Sequence, residues 1–142
     1  MVDVINPNEL RKVAQAKEVA AAKEAFEADQ RRADERRQLR EAFLNREIKP
    51  EGRELLRKAL IAAAERGANH LQVFTFPSDL CTDSGRAINN ADPNWPKTLV
   101  GFAARAYEFY EKELQPQGYR MRAEIIDFPG GKPGDVAITI AW

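Results

Sequence analysis

Toward the C-terminus, apolar residues fall at every second position. Tyr119, Met121, Ala123 and Ile125 alternate with Arg120, Arg122 and Glu124. Val136, Ile138, Ile140 and Trp142 alternate with Ala137, Thr139 and Ala141. A period of two is that of a strand with one buried face, because successive side chains point to opposite sides. The intervening PGGKPG predicts an antiparallel hairpin. With Phe128 opposite Asp135, Ile125 meets Ile138, Ala123 meets Ile140, Met121 meets Trp142, and Glu124 lies beside Thr139. A slip of one residue would scramble both faces, so the pattern specifies the register strongly. A third strand is predicted from Leu71 to Phe76. It is apolar at both parities, with Leu71 and Val73 on one side and Phe74 and Phe76 on the other. That pattern predicts a central strand covered on both faces.

The rest of the chain reads with a helical period. Leu55, Leu56, Ala59, Leu60 and Ala63 recur at spacings of three and four, predicting a helix from Pro50 to about Arg66. Ser78 or Asp79 can cap a short helix that turns Leu80, Ala87 and Ile88 inward and ends at Asn89 and Asn90. Leu99, Ala103, Ala106, Tyr107, Tyr110 and Leu114 form one stripe of a helix running from about Trp95 to Leu114. Pro116 and Gly118 stop it.

The first helix differs in kind. Asn6 as N-cap and Pro7 in the first turn mark its start, and no breaker follows before Pro50. At 1.5 Å per residue it would be about 60 Å long to Arg46. Its middle, DQRRADERRQLR, is polar on all sides. Such a helix bridges solvent or rests on charge pairs such as Glu27–Arg31 and Arg37–Glu41. Phe43 and Leu44 give the far end an anchor. Leu10, Val13, Val19, Ala22 and Phe26 supply a contact stripe in the first half. Heptad spacing fails at Arg40, so a long coiled coil is not specified.

Together these elements predict an α+β fold. A long N-terminal helix and a second helix precede a β-α-β-β segment, with a small three-stranded, at least partly antiparallel sheet and a C-terminal β-hairpin. Residues 1–47 would form a charged projecting helix and residues 48–142 the body.

Composition narrows the function. The 142 residues hold 22 basic and 22 acidic side chains, so net charge is zero. That balance argues against a nucleic-acid binder; acids interleave with the arginines Arg31, Arg32, Arg36, Arg37 and Arg40 and cancel most of their attraction for phosphate. The N-terminus lacks the pattern of a secretory signal, and no apolar run reaches membrane-spanning length, so a cytoplasmic protein with no membrane partner is expected. A single cysteine, Cys81, excludes an intrachain disulfide and a Cys-rich metal site.

Candidate chemistry gathers after the first predicted strand, where Asp79, Cys81, Asp83, Ser84, Arg86, Asn89 and Asn90 lie within a dozen residues. As a calcium loop the segment fails, since Cys81, Ser84 and Asn90 stand where oxygen ligands, glycine and glutamate are needed. Cys81 as a nucleophile would need His70, the sole histidine, as its base, and is flanked by acids of the wrong sign. Arg86 is expected to pair with Asp83 or Asp79. FPGGKPGD lacks the helix that must follow a phosphate loop. No metal or cofactor is therefore expected. The primary expectation is a non-enzymatic interaction or assembly module, with the long helix docking a protein partner or a second copy of the chain. The alternative is a small-ligand binder or enzyme with its site in the loop 79–90.

Overall fold

The computed structural model describes residues 4–142. Its elements run α1 (Pro7–Asn45), α2 (Pro50–Glu65), β1 (His70–Pro77), α3 (Arg86–Asn89), α4 (Gly101–Phe109), β2 (Arg120–Ile125) and β3 (Asp135–Ala141). This is the α+β arrangement expected. The chain divides into two compact units between Glu41 and Ala42.

The first unit is α1 up to Glu41. Asn6 caps it as expected: its side-chain oxygen accepts from the Asn8 N–H at 2.8 Å. The charge pairs differ from those expected. In place of Glu27–Arg31 and Arg37–Glu41, Arg32 pairs with Asp29 and Arg37 with Asp34, each three residues back.

The second unit is built on the sheet, whose strand order is β1-β3-β2, antiparallel throughout. The central strand is β3, and β1 is an edge, which corrects the expectation for residues 71–76. The cause is a bulge in β1. Leu71 pairs with Ile140 and Phe74 with Ile138, so one extra residue is inserted between Gln72 and Phe74. A bulge of this kind resets the alternation. Leu71, Phe74 and Phe76 therefore share one face with Val136, Ile138 and Ile140, although their sequence parity differs. The apolar character at both parities reflected the bulge, not two covered faces.

The hairpin keeps its predicted faces but shifts its register by two. Ile125 meets Val136, Ala123 meets Ile138, Met121 meets Ile140, and Glu124 lies beside Ala137. Asp127 sets this register. Its carboxylate accepts the Asp135 N–H at 2.6 Å, and its carbonyl accepts the Gly134 N–H at 2.9 Å. Because the shift is even, no residue changes face.

The helices pack on the face carrying Val136 and Ile138, where Phe76, Leu80, Cys81, Ile88, Leu99 and Ala103 complete the core. The last turn of α1 joins it: the Phe43 ring stacks on Phe76 at 5.3 Å and meets Phe102 edge-on at 6.0 Å. On the other face, small residues of β3 (Ala137, Thr139, Ala141) lie buried between exposed Gln72 and Thr75 on one side and exposed Arg120, Arg122 and Glu124 on the other.

The helix expected over Trp95–Leu114 is in three pieces. A 3-10 turn spans Trp95–Thr98, α4 begins at Gly101, and a π-helical turn spans Tyr110–Leu114. The break near Leu99 arises because the Thr98 carbonyl turns away to accept the Thr82 N–H at 2.9 Å. The predicted stripe survives the break, with Leu99, Ala103, Ala106 and Tyr110 all buried.

Candidate functional site

The loop after β1 is built by capping. Asp83 Oδ1 accepts the Gly85 N–H at 3.0 Å and Oδ2 accepts the Ala87 N–H at 2.8 Å. The carboxylate thus satisfies donors at the start of α3 that have no partner within the helix. Ser78 ties the same loop to the hairpin, its hydroxyl donating to the Pro133 carbonyl at 3.0 Å.

These bonds decide what the candidate residues face. Cys81 is buried at 5% exposure within the core. Burial pushes its thiol above the ordinary value; a hydrogen bond with Thr98 offsets part of this, and the charges of Asp83 and Asp79 add to the rise. A raised thiol pKa suppresses the thiolate that acts as nucleophile. His70 opens β1 and its Nδ1 lies 3.1 Å from Asn69 Oδ1. The strand then runs about 23 Å to Pro77, beyond which Cys81 lies, so the two do not meet. Asp83 is not the partner expected for Arg86, because its carboxylate is committed to the backbone donors of Gly85 and Ala87. Arg86, Asn89, Asn90 and Asp79 are exposed. The loop therefore brings Asp79, Arg86, Asn89 and Asn90 to the surface and separates them from buried Cys81. Among the described residues, no three His, Cys, Asp or Glu side chains are grouped to hold a metal ion, and no helix is long and apolar enough to cross a membrane.

No family model, curated protein or solved structure matches this chain.

The other candidate surface is α1. None of its residues is buried. Val13 is 66% exposed, Val19 62% and Phe26 62%. Leu10 and Leu39 are also more than half exposed. Helix geometry does not bring the five residues of the contact stripe together. Leu10 and Val19 are about two and a half turns apart, which places them on opposite sides. Val19, Ala22 and Phe26 form one patch, since spacings of three, four and seven return to the same side. Leu10 and Val13 form a second patch on the reverse side, and the row through Leu10 continues along Ala14, Ala21, Ala25 and Ala28.

A third feature was not legible in the sequence. Between α2, α4 and the sheet lies a cavity of about 640 Å³. Its floor is Leu71, Phe74, Met121 and Ile140, its roof Leu56 and Ala59, and its wall Ala106, Phe109 and Leu114.

Proposed function

We propose that this chain is a non-enzymatic assembly module in which α1 associates with α1 of a second copy. The observation that carries this reading is a helix of 39 residues with none buried that nevertheless presents Val19 and Phe26 to solvent. Helices in proteins draw most of their stability from packing an apolar face, and an exposed valine and phenylalanine one packing row apart supply such a face. Zero net charge adds no electrostatic barrier between copies.

The magnitude sets the strength. Burying Val19 and Phe26 on each of two copies, four side chains at about 1.5–3 kcal/mol each, is worth roughly 6–12 kcal/mol. Association costs about 4 kcal/mol or more in lost freedom of motion. The pairing is therefore weak and concentration-dependent unless the alanine row or a further partner adds to it.

The test is sedimentation equilibrium on the full chain and on a Val19→Glu/Phe26→Glu variant. Both positions are exposed, so the variant keeps its helix. The reading predicts self-association in the parent and its loss in the variant. Equal behaviour of the two chains overturns it.

A further inference from the structure

The cavity is a consequence of how α2 is seated. Near its C-terminal end Ala63 is fully buried, where the helix meets β1. Toward its start the helix lifts away: Leu60, Ala59 and Leu56 are half-buried, and Leu55 is 67% exposed. Protein interiors normally close to the density of organic crystals, and α2 carries the leucines needed to do so. At this end α2 is tied to the end of α4 and the turn after it. The Arg53 side chain of α2 places its guanidinium over the Phe109 ring at 4.8 Å and reaches Glu113 at 3.2 Å. Glu113 belongs to the π-helical turn Tyr110–Leu114. Such turns are rare and recur at functional sites. Their wider winding brings residues five apart toward one side, so Phe109 and Leu114 both line the cavity.

The volume lies within the range of small-molecule pockets, about 300–1,000 Å³. The interior offers carbon almost everywhere, so water there would find few partners. Polar groups gather at the mouth, where three bases (Arg46, Lys49, Arg53) meet two acids (Glu47, Glu51). Arg53 is matched by Glu113. Arg46 is held in place by its guanidinium lying over the Phe102 ring at 4.1 Å, and Phe102 itself lines the cavity. Among the described residues no carboxylate pairs with Arg46 or Lys49. A planar cation fixed at the rim of an apolar cavity suits a carboxylate head on an apolar body, since guanidinium binds carboxylate through two parallel hydrogen bonds.

We infer that this cavity binds a single-chain aliphatic carboxylate, with its hydrocarbon between α2 and the sheet and its head on Arg46. This site is independent of the association of α1.

The test titrates the full chain calorimetrically with dodecanoate and dodecylammonium, each below its micelle concentration, and with dodecanol below its solubility limit. Dodecanoate is expected to bind once per chain, about tenfold more tightly than dodecanol, a ratio typical of one charge-assisted contact. Dodecylammonium is expected to bind most weakly. Arg46→Gln should bring dodecanoate down to the level of dodecanol while leaving dodecanol unchanged. Ala59→Trp should fill the cavity and abolish binding of both, its fold being checked by circular dichroism. Val19→Glu/Phe26→Glu should bind dodecanoate as the parent does, which separates the cavity from the exposed patches of α1. The inference is overturned if none of the three probes binds, if the ammonium binds as well as the carboxylate, if Arg46→Gln leaves the preference intact, or if the α1 variant loses binding.

Discussion

Gly101→Ala tests how the last turn of α1 is anchored. Gly101 begins α4 with φ of +58°, in the left-handed region. A β-carbon built there would lie 2.7 Å from the Leu44 Cα and 3.1 Å from the Phe43 carbonyl oxygen. Both are backbone atoms, which cannot turn aside as the end of a side chain can. The substitution therefore carries two costs. Left-handed backbone costs a residue with a β-carbon about 1–2 kcal/mol, and forced overpacking costs about 1–3 kcal/mol more. Gly130→Ala isolates the first, because Gly130 has φ of +62° and open space around it. The entropy that alanine removes from the unfolded chain is common to both variants and cancels. Urea unfolding followed by tryptophan fluorescence should place Gly101→Ala about 1–3 kcal/mol below Gly130→Ala at equal slope. Equal midpoints would mean that Phe43 and Leu44 do not sit against the start of α4.

Three further outcomes follow from the loop after β1 and the core beside it. Asp83→Ala removes the acceptor for two backbone donors and should cost about 1–2 kcal/mol in urea unfolding, as loss of a helix cap does; an unchanged midpoint would show that the carboxylate is not a cap. Cys81 should react with a disulfide reagent at pH 8 more than about tenfold more slowly than in the unfolded chain. Its thiol pKa is raised on folding from 9.0, so above that pH the unfolded chain loses a proton that the folded chain retains. Stability is then full below about pH 9 and falls as pH rises beyond it. Tyr107, raised from 10.0, adds to the loss at higher pH. Cys81→Ala should remove the earlier part of this decline, and an unchanged pH profile would refute the assignment.

Much of the fold was legible because it rests on periodicity. The alternation of Met121, Ala123 and Ile125 against Val136, Ile138 and Ile140 names the buried face whatever the register. The register itself was set by Asp127 reaching back to the Asp135 N–H, a side-chain contact that no periodicity records. Strand order was misread because a one-residue bulge and a doubly covered strand leave the same trace in Leu71–Phe76. The break before Gly101 and the π-helical turn after Phe109 escaped for a similar reason. Both depend on which carbonyl an N–H finds, the distant Thr82 N–H taking the Thr98 carbonyl in the first case and the local winding widening in the second. Asp79, Cys81, Asp83, Arg86, Asn89 and Asn90 formed a dense cluster in sequence, but folding commits Asp83 to caps and Cys81 to the core. In α1 the apolar residues were visible, while their division into two opposite patches appears only when about 100° per residue is applied to each pair. The cavity was hidden altogether, since it arises from the lift of α2 at Leu55 and Leu56, residues whose spacing reads as a buried face.

The most direct test of assembly through α1 is light scattering on the full chain across a concentration series reaching about 1 mM, where even an association of roughly −4 kcal/mol is half complete. The account predicts a weight-average mass that rises with concentration from the 16.0 kDa of one chain toward twice that value. A mass that stays at 16.0 kDa throughout the series would contradict it.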